Sequence, residues 1–276
     1  MLLSVLVQVH IPKCAGTSVA AWLLQASETG TLSGFGSFYS DFVFDDDSLW
    51  QAGLHDLRLS AVSAHNIRRF APEIHGRQML YFTILRHPLA HFLSIVRYML
   101  QERDAFEVPP DVPDTSRAVT AWLLERPPGS LFRENTQTNH LALYPWCDAT
   151  FGRCDPDHVE RWAPADRAAF ERERLDLAKH VLRSFVTVGA VERLTDTLTV
   201  LRRRSALHGL DLLPVEDVPH DNVTRVPLDD ISWIEHEPLG RRLLESLADD
   251  WELYVYALEL LDEAREQDAM ASEQAL

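Results

Sequence analysis

"HIPKCAGTS", His10 to Ser18, comes directly after the apolar run "LLSVLVQV", Leu2 to Val9. The run is short, β-branched and continuous, the pattern of a strand buried on both faces. "PKCAGTS" breaks it, and Val19, Trp22 and Leu23 then recur at helical spacing in "SVAAWLLQA". The local order is strand, loop, helix, so the loop delivers its backbone N–H groups at a helix N-terminus. Orphan donors and the positive end of the helix dipole favour an anion there. Gly16 lets the backbone come close to it. Thr17 and Ser18 offer hydroxyls, and Lys13 adds a mobile charge. The Lys precedes the Gly, the reverse of the order in a nucleotide-triphosphatase P-loop. An ordinary turn with a solvated Lys reads equally well, so this loop alone names no ligand.

The pattern repeats outward. "LRLSAVSAHN", Leu57 to Asn66, reads as a short strand ending near His65, and "QMLYFTILR", Gln78 to Arg86, as the clearest central strand. After it, Leu89, Phe92, Leu93, Val96, Met99 and Leu100 form one helical stripe that opens with Pro88. Further helices are predicted in "TSRAVTAWLLER", "APADRAAFERERLDLAKHVLR", "RLTDTLTVLRRRSALHG" and the segment from His236 onward, with a strand in "SFVTVGAVE". Gly30 to Ser48, Pro127 to Pro164 and "VPHDNVTRVP" read as irregular. Alternating strands and helices predict an α/β fold with a parallel sheet. Ligands bind such sheets beyond the carboxyl ends of the strands, where the Lys13 loop, His65 and Arg86 all fall.

The 276 residues suffice for a core without disulfides or metals. A formal charge of −16 argues against nucleic acid and anionic membrane surfaces as partners. No apolar run is long enough to span a membrane. The opening residues lack a basic leader and a small-residue cleavage site, so a cytoplasmic location is expected. Three cysteines argue against a disulfide scaffold. Cys147 and Cys154 are close enough in sequence to pair, but a reducing cytosol would keep them thiols. Their spacing with His140 and His158 fits no common zinc pattern, so no metal is expected.

In "LRHPLAHFLS", Arg86 at a strand end can grip a phosphate with two parallel hydrogen bonds, and Ser94 lies two turns into the next helix. Taken together, the two loops imply one ligand with two separate anionic groups. "HIPKCAGTS" resembles the 5′-phosphosulfate loop of the carbohydrate sulfotransferases, usually close to "IPKTGGTS". "LRHPLAHFLS" resembles that family's 3′-phosphate motif, usually "RDPxxRxxS". The resemblance is closest to the branch with the heparan sulfate 2-O-sulfotransferases and related bacterial enzymes. "NTQTNHL" (135–141), "FVTVGAVERL" (185–194) and "DNVTRV" (221–226) are similar to it more weakly. The strong similarity covers about a third of the chain.

The resemblance implies a P-loop-like parallel sheet flanked by helices in a single domain, residues 1–265, with irregular acceptor-site insertions; residues 266–276 are expected to fray. It implies 3′-phosphoadenosine 5′-phosphosulfate as donor. Lys13 would reach the 5′-phosphate and the bridging oxygen. Cys14, Ala15, Gly16, Thr17 and Ser18 would form the 5′-phosphate loop, and Arg86 and Ser94 would hold the 3′-phosphate. Cys14-Ala15 replaces Thr-Gly, His87 replaces the usual Asp, and His91 stands where Arg is common.

Transfer of a sulfuryl group requires a base for the acceptor hydroxyl and stabilisation of the leaving phosphate. Lys13 suits the second task. His65 suits the first, because it comes after a strand between the two loops and a neutral imidazole accepts a proton near pH 7. It also resembles the "GH" position of the branch that uses His as base, with Ala64 in place of Gly. His140, His55 or a Glu are the fallbacks. The acceptor is expected to be a hydroxyl of a sugar, glycoconjugate or other small molecule. Arg133, Asn135, His140, Tyr144 and Trp146 are the residues of the irregular region that could line its site, although the same types furnish any ordered loop. "RRR", Arg202 to Arg204, reads as a solvated helix face. A small-molecule kinase would want Lys after the Gly-rich turn and an acidic Mg²⁺ ligand. A nucleotide-binding module without catalysis would tolerate loss of Lys13 and His65.

Overall fold

The computed structural model describes residues 3–38, 59–65, 67, 70–74, 76–149, 159, 161–218 and 229–274. His55, Cys154 and "DNVTRV" lie outside these residues, as does the side chain of Tyr144. In chain order the elements begin with β1 (Leu3–Val9), α1 (Gly16–Glu28), β2 (Phe35–Phe38), β3 (Ala61–Ala64), β4 (Glu73–Ile74) and β5 (Arg77–Leu85). Next come α2 (Pro88–Gln101), α3 (Ser116–Glu125), α4 (Thr136–Ala149), α5 (Pro164–Arg183), β6 (Thr187–Ala190) and α6 (Leu194–Ala206). The chain closes with α7 (Trp233–His236), α8 (Pro238–Ser246) and α9 (Ala248–Gln274).

Five strands run parallel in the order β2-β3-β1-β5-β6, and β4 adds a short antiparallel pairing at the start of β5. The fold is α/β, with a mixed, mostly parallel sheet flanked by helices. β1 is central because its continuous apolar run can be covered on both faces. On one face Leu6, Phe82 and Ile84 pack against Trp22 and Leu23 of α1 and Leu198 and Leu201 of α6. On the other, Val5, Val7, Tyr81 and Leu85 pack with Leu141 of α4, Phe170 of α5 and Leu253 of α9. A third cluster joins α2, α3 and α7–α8 through Phe92, Met99, Leu123, Trp233 and Leu243. Fully buried Trp22 also donates its indole N–H to the Pro214 carbonyl at 3.3 Å. Truncation to Ala would cost about 3–5 kcal/mol.

Several sequence expectations need correction. The segment after Gly30 contributes an edge strand, β2, paired with β3 from Phe35↔Ala61 to Phe38↔Ala64; "FGSF" has no apolar run of its own and is held by that pairing. Pro127 to Pro164 is not irregular throughout, since it contains α4 with Pro145 inside it. The start of α4 is capped from far away: the Asp250 carboxylate accepts the Gln137 N–H at 3.2 Å and the Thr138 N–H and hydroxyl at 2.8 Å each. Arg202 to Arg204 is not a uniformly solvated face. Arg202 bonds the Leu212 carbonyl, and half-buried Arg204 ties α6 to the Val186 carbonyl and to Gln267 of α9. Cys147 is disulfide-bonded rather than a thiol, while Cys14 is a buried free thiol. α9 runs as one helix to Gln274. No helix among the described residues is long and apolar enough to cross a membrane.

Candidate functional site

β1 lies between β3 and β5, with Val9 in register with both Ala64 and Thr83. The segments that leave these strands therefore meet at one end of the sheet: the 10–15 loop after β1, His65 after β3 and Arg86 after β5. The sequence predicted this convergence.

The 10–15 loop turns on two residues with left-handed backbone, Lys13 at φ 64° and Ala15 at φ 59°. Both are non-glycine, so the turn stores strain, about 1–2 kcal/mol per residue. Its supports are histidines. A Cβ added at Gly16 would lie 1.9 Å from the His10 ring, so Gly16 is required by the packing of His10 beneath the loop. Buried His91 of α2 donates its Nε2–H to the Pro12 carbonyl at 2.8 Å. Burial drives the pKa of His10 down to about 3 and that of His91 to about 4, so both stay neutral. The first helical bond of α1 runs from the Val19 N–H to the Ala15 carbonyl, which turns the first-turn N–H groups, including those of Thr17 and buried Ser18, toward the loop. No acidic residue occupies that turn.

Lys13 holds its ammonium 4.4 Å above the Tyr98 ring. Burial, and then the charge of Arg86, lower its pKa. His91, Ser94 and Tyr98 share one side of α2 by their spacing. Contacts from His91 and Tyr98 to the 10–15 loop thus put buried Ser94 on the side facing it.

Arg86 reaches back to the first loop, its Nη1 donating to the Lys13 carbonyl at 3.2 Å. Its Nε is buried with no hydrogen-bond partner among the described residues, an unspent donor suited to an anion. The Arg86 backbone is held by Gln137: Oε1 accepts its N–H and Nε2 donates to its carbonyl, both at 2.8 Å. The next N–H, from His87, goes to Glu192 at 3.1 Å, and Glu192 also accepts the Tyr254 hydroxyl. His87 caps α2, its Nδ1 accepting the Ala90 N–H. The two departures from "RDPxxRxxS" thus have structural tasks: His87 does an N-cap's work, and His91 ties α2 to the first loop.

His65 bonds the His10 carbonyl through Nδ1 at 2.7 Å, and its ring stacks on His10 at 4.0 Å. A carbonyl only accepts, so Nδ1 carries the proton and Nε2 the lone pair. Burial lowers the His65 pKa, with the bond to His10 opposing. The imidazole is neutral at pH 7 with its basic nitrogen fixed. His140, a fallback base, is hydrogen-bonded to the His65 backbone; burial brings its pKa to about 3.

Of the acceptor-side candidates, several serve the fold. Arg133 bonds the Leu124 carbonyl and Glu134. Asn135 accepts the Asp250 N–H. Trp146 is buried, stacked on Trp162 at 5.2 Å. Cys14 is buried, which pushes its thiol pKa well up, and it donates to Gln137 Oε1 at 3.5 Å; it acts as a support and not as a nucleophile. Gln137, Tyr98, Glu192 and Asp250 were not singled out from sequence. Two of them stand inside quoted stretches, Gln137 in "NTQTNHL" and Glu192 in "FVTVGAVERL", and that is the signal that pointed to them. No family model matches the chain, and no curated protein matches it either.

Proposed function

We propose that the chain is a sulfotransferase that uses 3′-phosphoadenosine 5′-phosphosulfate and a hydroxyl of a sugar, glycoconjugate or other small acceptor. The observation that carries this reading is the junction of two cationic loops, Lys13 after β1 and Arg86 after β5, with a neutral, oriented His65 at the neighbouring strand end. Cations carried on two separate loops suit a ligand anionic at two places, and the Arg86 Nε, which has no hydrogen-bond partner among the described residues, fits one of them. The strand order β2-β3-β1-β5-β6 supports a P-loop-like arrangement. A metal-independent reaction belongs to the same reading.

The donor supplies a sulfuryl group already bound to a good leaving phosphate. His65 Nε2 takes the proton of the acceptor hydroxyl as its oxygen bonds to sulfur. The resulting imidazolium is held through Nδ1–H by the His10 carbonyl. Lys13 leaves the Tyr98 face to neutralise the phosphate oxygen that receives the electron pair of the broken S–O bond. Arg86 and Ser94 hold the 3′-phosphate, and Gly16, Thr17 and Ser18 hold the 5′-phosphate.

Release of 3′-phosphoadenosine 5′-phosphate from the donor, measured across a panel of sugar hydroxyl acceptors, tests this. Wild type should show acceptor-dependent release. His65→Ala should lower it at least ~100-fold with nucleotide affinity retained. Acceptor-dependent release that survives intact in His65→Ala would remove His65 as the base; no release with any acceptor would contradict the activity.

A further inference from the structure

We infer that Gln137 is a positioning residue that couples the two anion loops, setting the affinity for a ligand that must engage both. This rests on the proposed two-anion ligand. Gln137 is fully buried, and both ends of its amide are hydrogen-bonded. Oε1 accepts the Arg86 N–H at 2.8 Å and the Cys14 thiol at 3.5 Å, while Nε2 donates to the Arg86 carbonyl at 2.8 Å. The orientation of the amide is fixed by chemistry: an N–H must face the oxygen and a carbonyl the NH₂.

β5 ends at Leu85, where Arg86 leaves its ladder. A side-chain amide that pairs both main-chain groups of Arg86 acts there as one more rung. It fixes the backbone from which the guanidinium reaches the Lys13 carbonyl. The same oxygen holds Cys14, the neighbour of Lys13 in the first loop, so one side chain touches both loops. Its own backbone is anchored in turn, the Gln137 N–H donating to Asp250 at the start of α9. A Gln that merely filled the core would not need to place both ends of its amide on one residue of the site.

The test compares Gln137→Leu, which keeps much of the volume and removes both polar ends, with Gln137→Glu, which keeps the acceptor and loses the donor. Two probes are titrated calorimetrically: 3′-phosphoadenosine 5′-phosphate, anionic at two places, and AMP, anionic at one. Thermal unfolding of each variant is followed in parallel. Gln137→Leu should weaken the doubly phosphorylated probe roughly tenfold or more, the worth of one or two buried hydrogen bonds, and AMP by less than about threefold, with Gln137→Glu between. In an Arg86→Ala background Gln137→Leu should add little further loss, since the residue acts through Arg86. Equal weakening of both probes, or a full additive loss in the Arg86→Ala background, would overturn the inference. Ligand-free hydrogen exchange gives a second readout. The Arg86 amide should exchange at least about tenfold faster in Gln137→Leu, while amides in the middle of β1 keep their protection. Unchanged exchange at Arg86 would overturn the clamp. If wild type binds neither probe, the donor reading fails, and exchange at Arg86 still decides whether Gln137 holds it.

Discussion

The two loops that face each other at the end of the sheet are built in opposite ways. The 10–15 loop is held locally: two left-handed residues, a histidine under Gly16 and another on the Pro12 carbonyl make its shape. The turn at Arg86 has no such strain, and distant side chains hold it, Gln137 on Arg86 and Glu192 on the His87 N–H. The first loop therefore depends on keeping buried imidazoles neutral and on fitting atoms tightly. The second depends on an amide whose seat is a carboxylate on α9. The Arg86 to Lys13 carbonyl bond joins the two designs.

Acid should separate them with the largest effect. His10, His91 and His140 have folded pKa values near 3, 4 and 3, below the ordinary 6.5. Their contribution to stability is present above pH 6.5 and is lost as the pH falls, because the unfolded chain takes up protons that the folded one refuses. Asp250 behaves oppositely. Its pKa is raised from 3.8 to about 6 by burial, against the hydrogen bonds from Thr138 and Gln137 and the charge of Arg174. Its favourable contribution is therefore complete below pH 3.8 and fades as the pH rises through 6. Three histidines outweigh one carboxylate, so the folded state should lose on the order of 3 kcal/mol between pH 6.5 and 5. Urea midpoints across that range measure it, and a flat profile would contradict the neutral, buried histidine supports.

Substitutions in the first loop should give smaller effects of both signs. Gly16→Ala drives a methyl into the His10 ring and should cost about 2–3 kcal/mol, less in a His10→Ala background. Ala15→Gly relieves a left-handed alanine and should stabilise by ~0.5 kcal/mol after the added freedom of the unfolded chain is counted. Chemical denaturation of the variants would show both. A neutral Gly16→Ala or a destabilising Ala15→Gly would mean that tight fit and strain do not shape this loop.

The same contrast explains what sequence could reveal. β1, its loop and α1 are coded by neighbours: a continuous apolar run, a break and a 3.6-residue period. β5, Arg86 and α2 are equally local, and together with His65 they placed both loops and the candidate base at one end of the sheet. α4 escaped because it opens on buried polar residues, contains Pro145 and takes its cap from Asp250, more than a hundred residues on. β2 escaped because an edge strand of "FGSF" carries no periodic signal and is held by its pairing with β3. Gln137 was visible only as one letter in "NTQTNHL"; its task appears when α4 lies beside the end of β5. Trp146 and Arg133 offered the chemistry of a sugar site and turned out to serve the core and the α3 terminus.

Calorimetric titration of wild type and Arg86→Ala with 3′-phosphoadenosine 5′-phosphate, beside ATP, tests the central claim most directly. The two-loop account predicts tight binding of the 3′-phosphorylated nucleotide, weak binding of ATP, and loss of that preference in Arg86→Ala. Equal or tighter binding of ATP, unaffected by Arg86→Ala, would contradict it.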